Sequence, residues 1–160
     1  MSKDFLKRWH KDVLDWATAY VWVKKIPTSD IPYIVAGKLG EVLVSKYLSG
    51  KVNLNWDIVD ASNDCGVDLI FNDKKIDVKT STFFKDPLLK EFSKVKGGSK
   101  DDIIYSLVSL DLTRYKYVIH GFIDAKQFIS DKYFKQDWKG KGPRYIASTK
   151  DLTLNYFRQN

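Results

Sequence analysis

The sequence predicts an α/β fold, a mixed central β-sheet flanked by α-helices, from a change of period along the chain. Up to about residue 48, apolar side chains recur at spacings of three and four, the period of a helix. Beyond Lys51 they gather into short runs separated by turn residues, as strands do. With 160 residues, 44% of them hydrophobic, there is enough apolar material for one buried core. Wholesale disorder is therefore excluded, and no linker or internal repeat divides the chain.

The first helix is expected over 4–23, where Phe5, Leu6, Trp9, Val13, Trp16 and Tyr20 form the apolar stripe. Pro27 breaks it. A second helix is expected from Asp30, a natural cap with Pro32 in the first turn, to about Leu48, with Ser49-Gly50 as its stop. Strands are expected at 54–59, 67–71 and 74–80, the last two joined as a hairpin by Asn72-Asp73. The charged stretch 85–102, with Gly97-Gly98, reads as a loop or as a short helix with a loop. Strands at 103–110 and 115–123 follow, then a short helix capped by Asp124, a basic-aromatic loop over 132–141 and a final strand near 145–147. In domain terms this is one unit, with a core over about 31–130 and a basic-aromatic C-terminal segment over 131–160.

Composition narrows the chemistry. A single cysteine, Cys65, rules out an intramolecular disulfide and any zinc site built on several thiolates. The opening Met1-Ser2-Lys3-Asp4-Phe5 lacks the apolar run of a signal peptide, and no stretch reaches the roughly 18 apolar residues of a membrane span. A cytoplasmic protein without a membrane partner is the expectation. Lys and Arg number 27 against 20 Asp and Glu, a formal charge of +7 that favours a polyanionic partner.

The segment Gly66 to Thr80 carries the chemistry. A two-residue turn at Asn72-Asp73 sets Phe71 against Lys74 and Leu69 against Ile76, which puts Asp68 opposite Asp77. Lys79, two residues on, shares the side of Asp77, while Val67, Leu69, Phe71, Ile76 and Val78 make an apolar face. Two facing carboxylates repel unless a cation lies between them, and Mg²⁺ or Mn²⁺ prefers such oxygen donors. Such an ion polarises a phosphate and activates water, and Lys79 would stabilise charge developing on phosphorus. The alternative is that all three are solvated polar residues on the outer face of a hairpin.

Asp68, eight intervening residues and Asp77-Val78-Lys79 together resemble the signature of the PD-(D/E)XK, or restriction-endonuclease-like, nuclease superfamily. Gly37-Lys38-Leu39-Gly40-Glu41 resembles the glutamate-bearing helix that precedes the hairpin in many members, and Lys79-Thr80-Ser81-Thr82 the continuation after the motif lysine. The likeness spans roughly residues 34–124, and small phage-type endonucleases are the closest in layout. Val67 stands where the family name has proline. The resemblance implies a restriction-endonuclease-like core of a helix and three strands, with the motif on the second and third. It implies Asp68 and Asp77 as metal ligands, Lys79 as the catalytic lysine and Glu41 as a further ligand or water-positioning acid. The activity implied is hydrolysis of DNA phosphodiesters, with a homodimer one way of cutting both strands. A non-catalytic DNA-binding protein and an RNA-directed nuclease remain open.

Two basic stretches are candidate DNA contacts. The first holds Lys85, Lys90, Lys94, Lys96 and Lys100. The second is the loop with Lys135, Trp138, Lys139 and Lys141, where Tyr133, Phe134 or Trp138 would stack on a base. Asp64 reads as turn chemistry, Cys65 as a neutral thiol and His120 as structural.

Overall fold

A computed structural model describes residues 2–58, 67–92 and 102–158. Helix α1 spans Lys3–Lys24; Ser2 caps it by accepting from the Phe5 N–H at 3.3 Å, and Lys25 closes it in the left-handed conformation. Helix α2 spans Ile31–Ser49, with proline in its first turn and Gly50 as the left-handed stop, its N–H on Lys46 O. Both helices match their predicted bounds to within a residue or so.

Strands β1 (Leu69–Phe71) and β2 (Lys74–Ser81) form the expected hairpin with Leu69 opposite Ile76 and Phe71 opposite Lys74. Asn72 and Asp73 both take positive φ, 49° and 60°, as a two-residue turn of the hairpin type requires. Strand β2 then runs parallel to β4 (Ile103–Asp111), and β4 antiparallel to β5 (Lys116–Asp124), giving a mixed sheet of order β1-β2-β4-β5. A second, antiparallel sheet is made of β3 (Leu88–Phe92), β7 (Arg144–Ser148) and the two-residue β6 (Phe134–Lys135), in the order β3-β7-β6.

The mixed central sheet is as expected, but its covering is not helical on both faces. Helices α1 and α2 pack on one face, where Leu6, Val13, Leu39 and Leu43 meet Ile76, Val78, Ile104 and Val108. The other face is covered by the second sheet and the one-turn helix α3 (Ala125–Phe128), where Leu89, Phe128 and Tyr133 meet Tyr105 and Leu107. Among the described residues no helix is long and apolar enough to cross a membrane.

Three expectations fail locally. The described part of the predicted strand 54–59 has no strand: Leu54 and Trp56 do turn inward, but onto the helices. Trp56 stacks on Trp9 at 5.7 Å, its carbonyl accepts from Trp16 Nε1, the Asn55 carbonyl accepts from Lys38 Nζ, and the Asn53 N–H donates to Ser45 Oγ. Side chains of α1 and α2 thus satisfy the backbone groups a neighbouring strand would have taken. Among the described residues the motif hairpin consequently lies on the first two strands, not the second and third. The stretch expected as loop or helix begins with β3 instead. Finally, Asp124 stands at the N-cap position of α3 as expected, but its side chain makes no capping bond; its carboxylate accepts from Tyr156 Oη at 2.6 Å instead. The turn with Asp64 and Cys65, together with Lys94, Lys96 and Lys100, lies outside the described residues.

Helix α2 meets β2 at Gly40. A Cβ there would stand 2.1 Å from Thr80 Oγ1 and 3.4 Å from Val78 Cγ1. Gly40→Ala is expected to destabilise the fold by about 1–2 kcal/mol in urea denaturation, overpacking outweighing the roughly 1 kcal/mol of helix propensity gained. Adding Thr80→Ala removes the obstructing oxygen, which is buried without a hydrogen-bond partner, and should restore most of the loss. A double variant no more stable than Gly40→Ala would disprove the contact.

Candidate active site

The site forms where β2 passes between the two layers. By strand alternation Ile76 and Val78 point to the helices, and Asp77 and Lys79 point to the second sheet. Asp77 is only 4% exposed, so the face that carries it is an interior one and not the open outer face of a hairpin. A carboxylate there requires a partner, and Lys79 Nζ lies 2.9 Å from Asp77 Oδ1.

A third acid arrives from β3. Leu89 and Glu91 share one face of that strand; Leu89 is fully buried and Glu91 reaches Lys79 Nζ at 3.5 Å. Tyr105, the β4 residue in register with Asp77, donates its hydroxyl to Glu91 Oε2 at 3.0 Å, and its ring lies 5.9 Å from Lys79 Nζ. Glu91 and Tyr105 are absent from the sequence-derived site. The alternation Leu89-Lys90-Glu91 was a usable strand signal, but nothing local shows which strand it pairs with.

Asp68 sits where β1 ends. Its N–H donates to Ile76 O at 2.9 Å, and its Oδ2 accepts from the Val78 N–H at 2.6 Å, supplying the acceptor that the short strand no longer offers. Strand N–H groups lie in the plane of the sheet, so this bond draws the carboxylate to the sheet edge rather than squarely onto the face of Asp77. The preceding residue, Val67, accordingly packs with the second-sheet cluster, whereas Leu69, Phe71, Ile76 and Val78 pack with the helical one. The expected five-residue apolar face therefore stops at Leu69.

On the helix side Asp68 and Glu41 line one cleft of about 300 Å³ with Trp16, Tyr20, Lys38 and Asn55. Glu41 Oε2 is held by Lys38 Nζ at 2.6 Å, and that ammonium lies 5.0 Å and 5.2 Å from the rings of Trp16 and Trp56.

Electrostatics follow from this crowding. Burial, and then the charge of Asp77, push the Asp68 carboxyl up to about 6, against the pull of the Val78 N–H, Lys79 and Lys38. For Lys79 burial opposes the charged form, but Asp77, Glu91 and Asp68 outweigh it and the net shift is upward. Lys79 is thus a fixed cation near neutrality, able to donate and to stabilise negative charge but not to act as a base. Among the described residues no three acidic, histidine or cysteine side chains stand close enough together to hold a metal. Two oxygen-donor carboxylates, Asp68 and Asp77, do interact. That donor set suits a hard divalent ion, which keeps several of its waters and binds through one or two carboxylates together with substrate phosphates.

The basic candidates divide. Lys85, Trp138 and Lys139 meet in one cleft with Lys90, and Lys139 Nζ lies 5.1 Å and Lys90 Nζ 6.0 Å from the Trp138 ring. Lys141 is near enough to act on the charge of Lys90. Lys135 is exposed on β6. Tyr133 is buried against Phe128, so its ring is not offered to a base, and the half-buried Phe134 packs on Tyr145.

The raised carboxyl makes stability pH-dependent. Because the folded state holds the Asp68 proton more tightly than the unfolded chain, this contribution is complete below about pH 3.8 and is lost as pH rises through about 6. In EDTA, Asp68→Asn should become more stable than wild type by a margin that opens between these values and levels off at about 1–3 kcal/mol. Urea midpoints at pH 4, 6 and 8 would measure it, and a margin independent of pH would refute the shift.

Comparison with known proteins finds no matching family model, no matching curated protein and no matching solved structure, so the functional reading rests on the chemistry of these side chains.

Proposed function

We propose that this chain is a metal-dependent deoxyribonuclease that hydrolyses DNA phosphodiesters, with Asp68, Asp77 and Lys79 at its centre. The observation that carries this reading is the hairpin, which holds the Asp68 carboxylate on the Val78 N–H at 2.6 Å, between Asp77 and Lys79 in the strand, and leaves Lys79 a permanent cation 2.9 Å from Asp77. Asp68 and Asp77 would hold Mg²⁺ or Mn²⁺, and Glu41, which lines the same cleft as Asp68 together with Asp57, would be a further acid on the helix side. Bound there, the ion would polarise a phosphate oxygen and make a bound water more acidic.

The chain's own residues do the rest. Lys79 donates to a non-bridging phosphoryl oxygen and stabilises the charge that grows there in the transition state. Asp77 fixes the ammonium at 2.9 Å, and Glu91, itself held by Tyr105, steadies it from the opposite sheet. Burial, and then the repulsion from Asp77, lift the Asp68 carboxyl; a proton or a cation relieves both, which favours occupation above pH 6. The finer fold reading belongs to the same proposal. A mixed sheet with the motif on its hairpin, and a glutamate-bearing helix packed on β2 through Gly40, supports a restriction-endonuclease-like core.

A second reading, a non-catalytic DNA-binding protein, is favoured by the lysine cluster around Trp138, which needs no chemistry at Asp77. Cleavage separates the two. Supercoiled plasmid, linear duplex and single-stranded DNA would be offered to the wild type with Mg²⁺, Mn²⁺ or EDTA, beside Lys79→Ala and Asp77→Asn. Metal-dependent cutting is expected, with Lys79→Ala lowering the rate by about 10²–10³-fold and Asp77→Asn abolishing it. Intact DNA binding with no cutting of any substrate would leave the binder.

A further inference from the structure

The cleft at Trp138 has a second aromatic wall that the lysine-rich loop does not supply. It comes from Phe83, just after β2. The Phe83 N–H donates to Ser81 Oγ at 3.1 Å and its carbonyl accepts from Ser109 Oγ, so its backbone is held on both sides. Its ring nevertheless stands 72% exposed on the wall of a cleft of about 230 Å³ shared with Trp138. A large apolar ring held open to water on an anchored backbone is a ready contact surface, since only the side chain's own rotamers remain to be ordered when something stacks on it.

The rim of this cleft is cationic. Lys85, Lys90 and Lys139 line it, and Asp86 is the one acid among the described residues that do. Lys90 is pushed below the usual lysine range, first by burial and then by Lys141, Lys139 and Arg144, so the cluster repels itself and an anion would relieve it. Rings for a planar group and ammoniums for a phosphate are the two halves of a nucleotide. A base within a duplex is already stacked and cannot enter between rings, whereas an unpaired base can.

The cleft is also placed along the candidate catalytic strand. Ser81, which lines it, lies two residues beyond Lys79 on β2 and shares the side of Asp77 and Lys79. At about 3.3 Å per residue, four residues separate Asp77 from the cleft by roughly 13 Å. That span covers about four nucleotides of a stacked strand and fewer of an extended one.

We propose that the cleft between Phe83 and Trp138 binds an unpaired nucleotide of single-stranded DNA, a few positions along the strand from the phosphodiester at Asp77 and Lys79. The inference rests on the nuclease reading for its catalytic distance, but not for the binding itself.

Fluorescence anisotropy of the full chain in EDTA tests it. The probes are a labelled oligodeoxythymidine, an abasic oligonucleotide of equal length, a duplex and an oligouridine. Wild type should bind the thymidine strand about 5- to 150-fold more tightly than the abasic one, the worth of one stacked base. Phe83→Ala and Trp138→Leu should each reduce that ratio at least fivefold; the exposure of Phe83 makes its variant safe for folding. Lys139→Ala should weaken both strands alike and flatten the salt dependence by about 0.7 in log–log slope.

A ratio near one in wild type, or one that neither ring substitution moves, overturns the proposal. A tenfold preference for oligouridine overturns the assignment to DNA. Cleavage is read separately on the same preparations. A wild type that cuts nothing yet keeps a ring-dependent ratio sinks the nuclease reading and sustains the cleft, whereas cutting with a ratio of one sinks the cleft alone.

Discussion

A buried carboxylate is among the costliest things a protein interior can hold unless a cation stands beside it, and the arrangement around β2 follows from supplying that cation to Asp77. Asp77 lies between two sheets at 4% exposure, and its charge is answered by Lys79 from the same strand. That lysine, drawn inward, brings its own requirement for acceptors, which Glu91 meets from β3. Glu91 in turn is fixed by the hydroxyl of Tyr105, the residue beside Asp77 in the parallel register. The chain of dependence returns to its starting point, so the second sheet is tied to the first by charge as well as by apolar packing.

The outcome is a surplus of acid. Asp68, Asp77 and Glu91 all act on one ammonium, and the Asp68 carboxyl is lifted first by its burial and then by the charge of Asp77. Strongly perturbed groups in a cleft are found where chemistry is done as well as in structural networks. Here the perturbed acid borders a cleft large enough to admit a ligand, while the acids and lysine behind it are held by backbone, tyrosine and opposite charge.

How far the sequence disclosed this depended on range. The hairpin register was legible because a two-residue turn leaves one pairing, and Asn72-Asp73 tolerates the positive φ that turn needs. Helix α2 was legible from its proline start and glycine stop. The alternation of Leu54 and Trp56 was real but misleading, because it reports burial and not the identity of the backbone's partner, which here is a set of helical side chains. Glu91 was hidden for a different reason. Its strand pairs with β7 across much of the chain, and no local pattern encodes that meeting. The same holds for Phe83 and Trp138, which lie far apart in the sequence and share a cleft that no local pattern encodes.

That long-range pairing also orders events in time. The β1-β2 hairpin closes over two residues and the α1-α2 pair over a short connection, so both can form early. Strand β3 must wait for β7, near the C-terminus, and non-local contacts of this kind are slow because loop closure precedes any gain from pairing. A chain emerging from the ribosome therefore builds the hairpin bearing Asp77 well before the wall bearing Glu91 can close over it. The wall that Glu91 builds over Asp77 is thus completed only once β7 has been made.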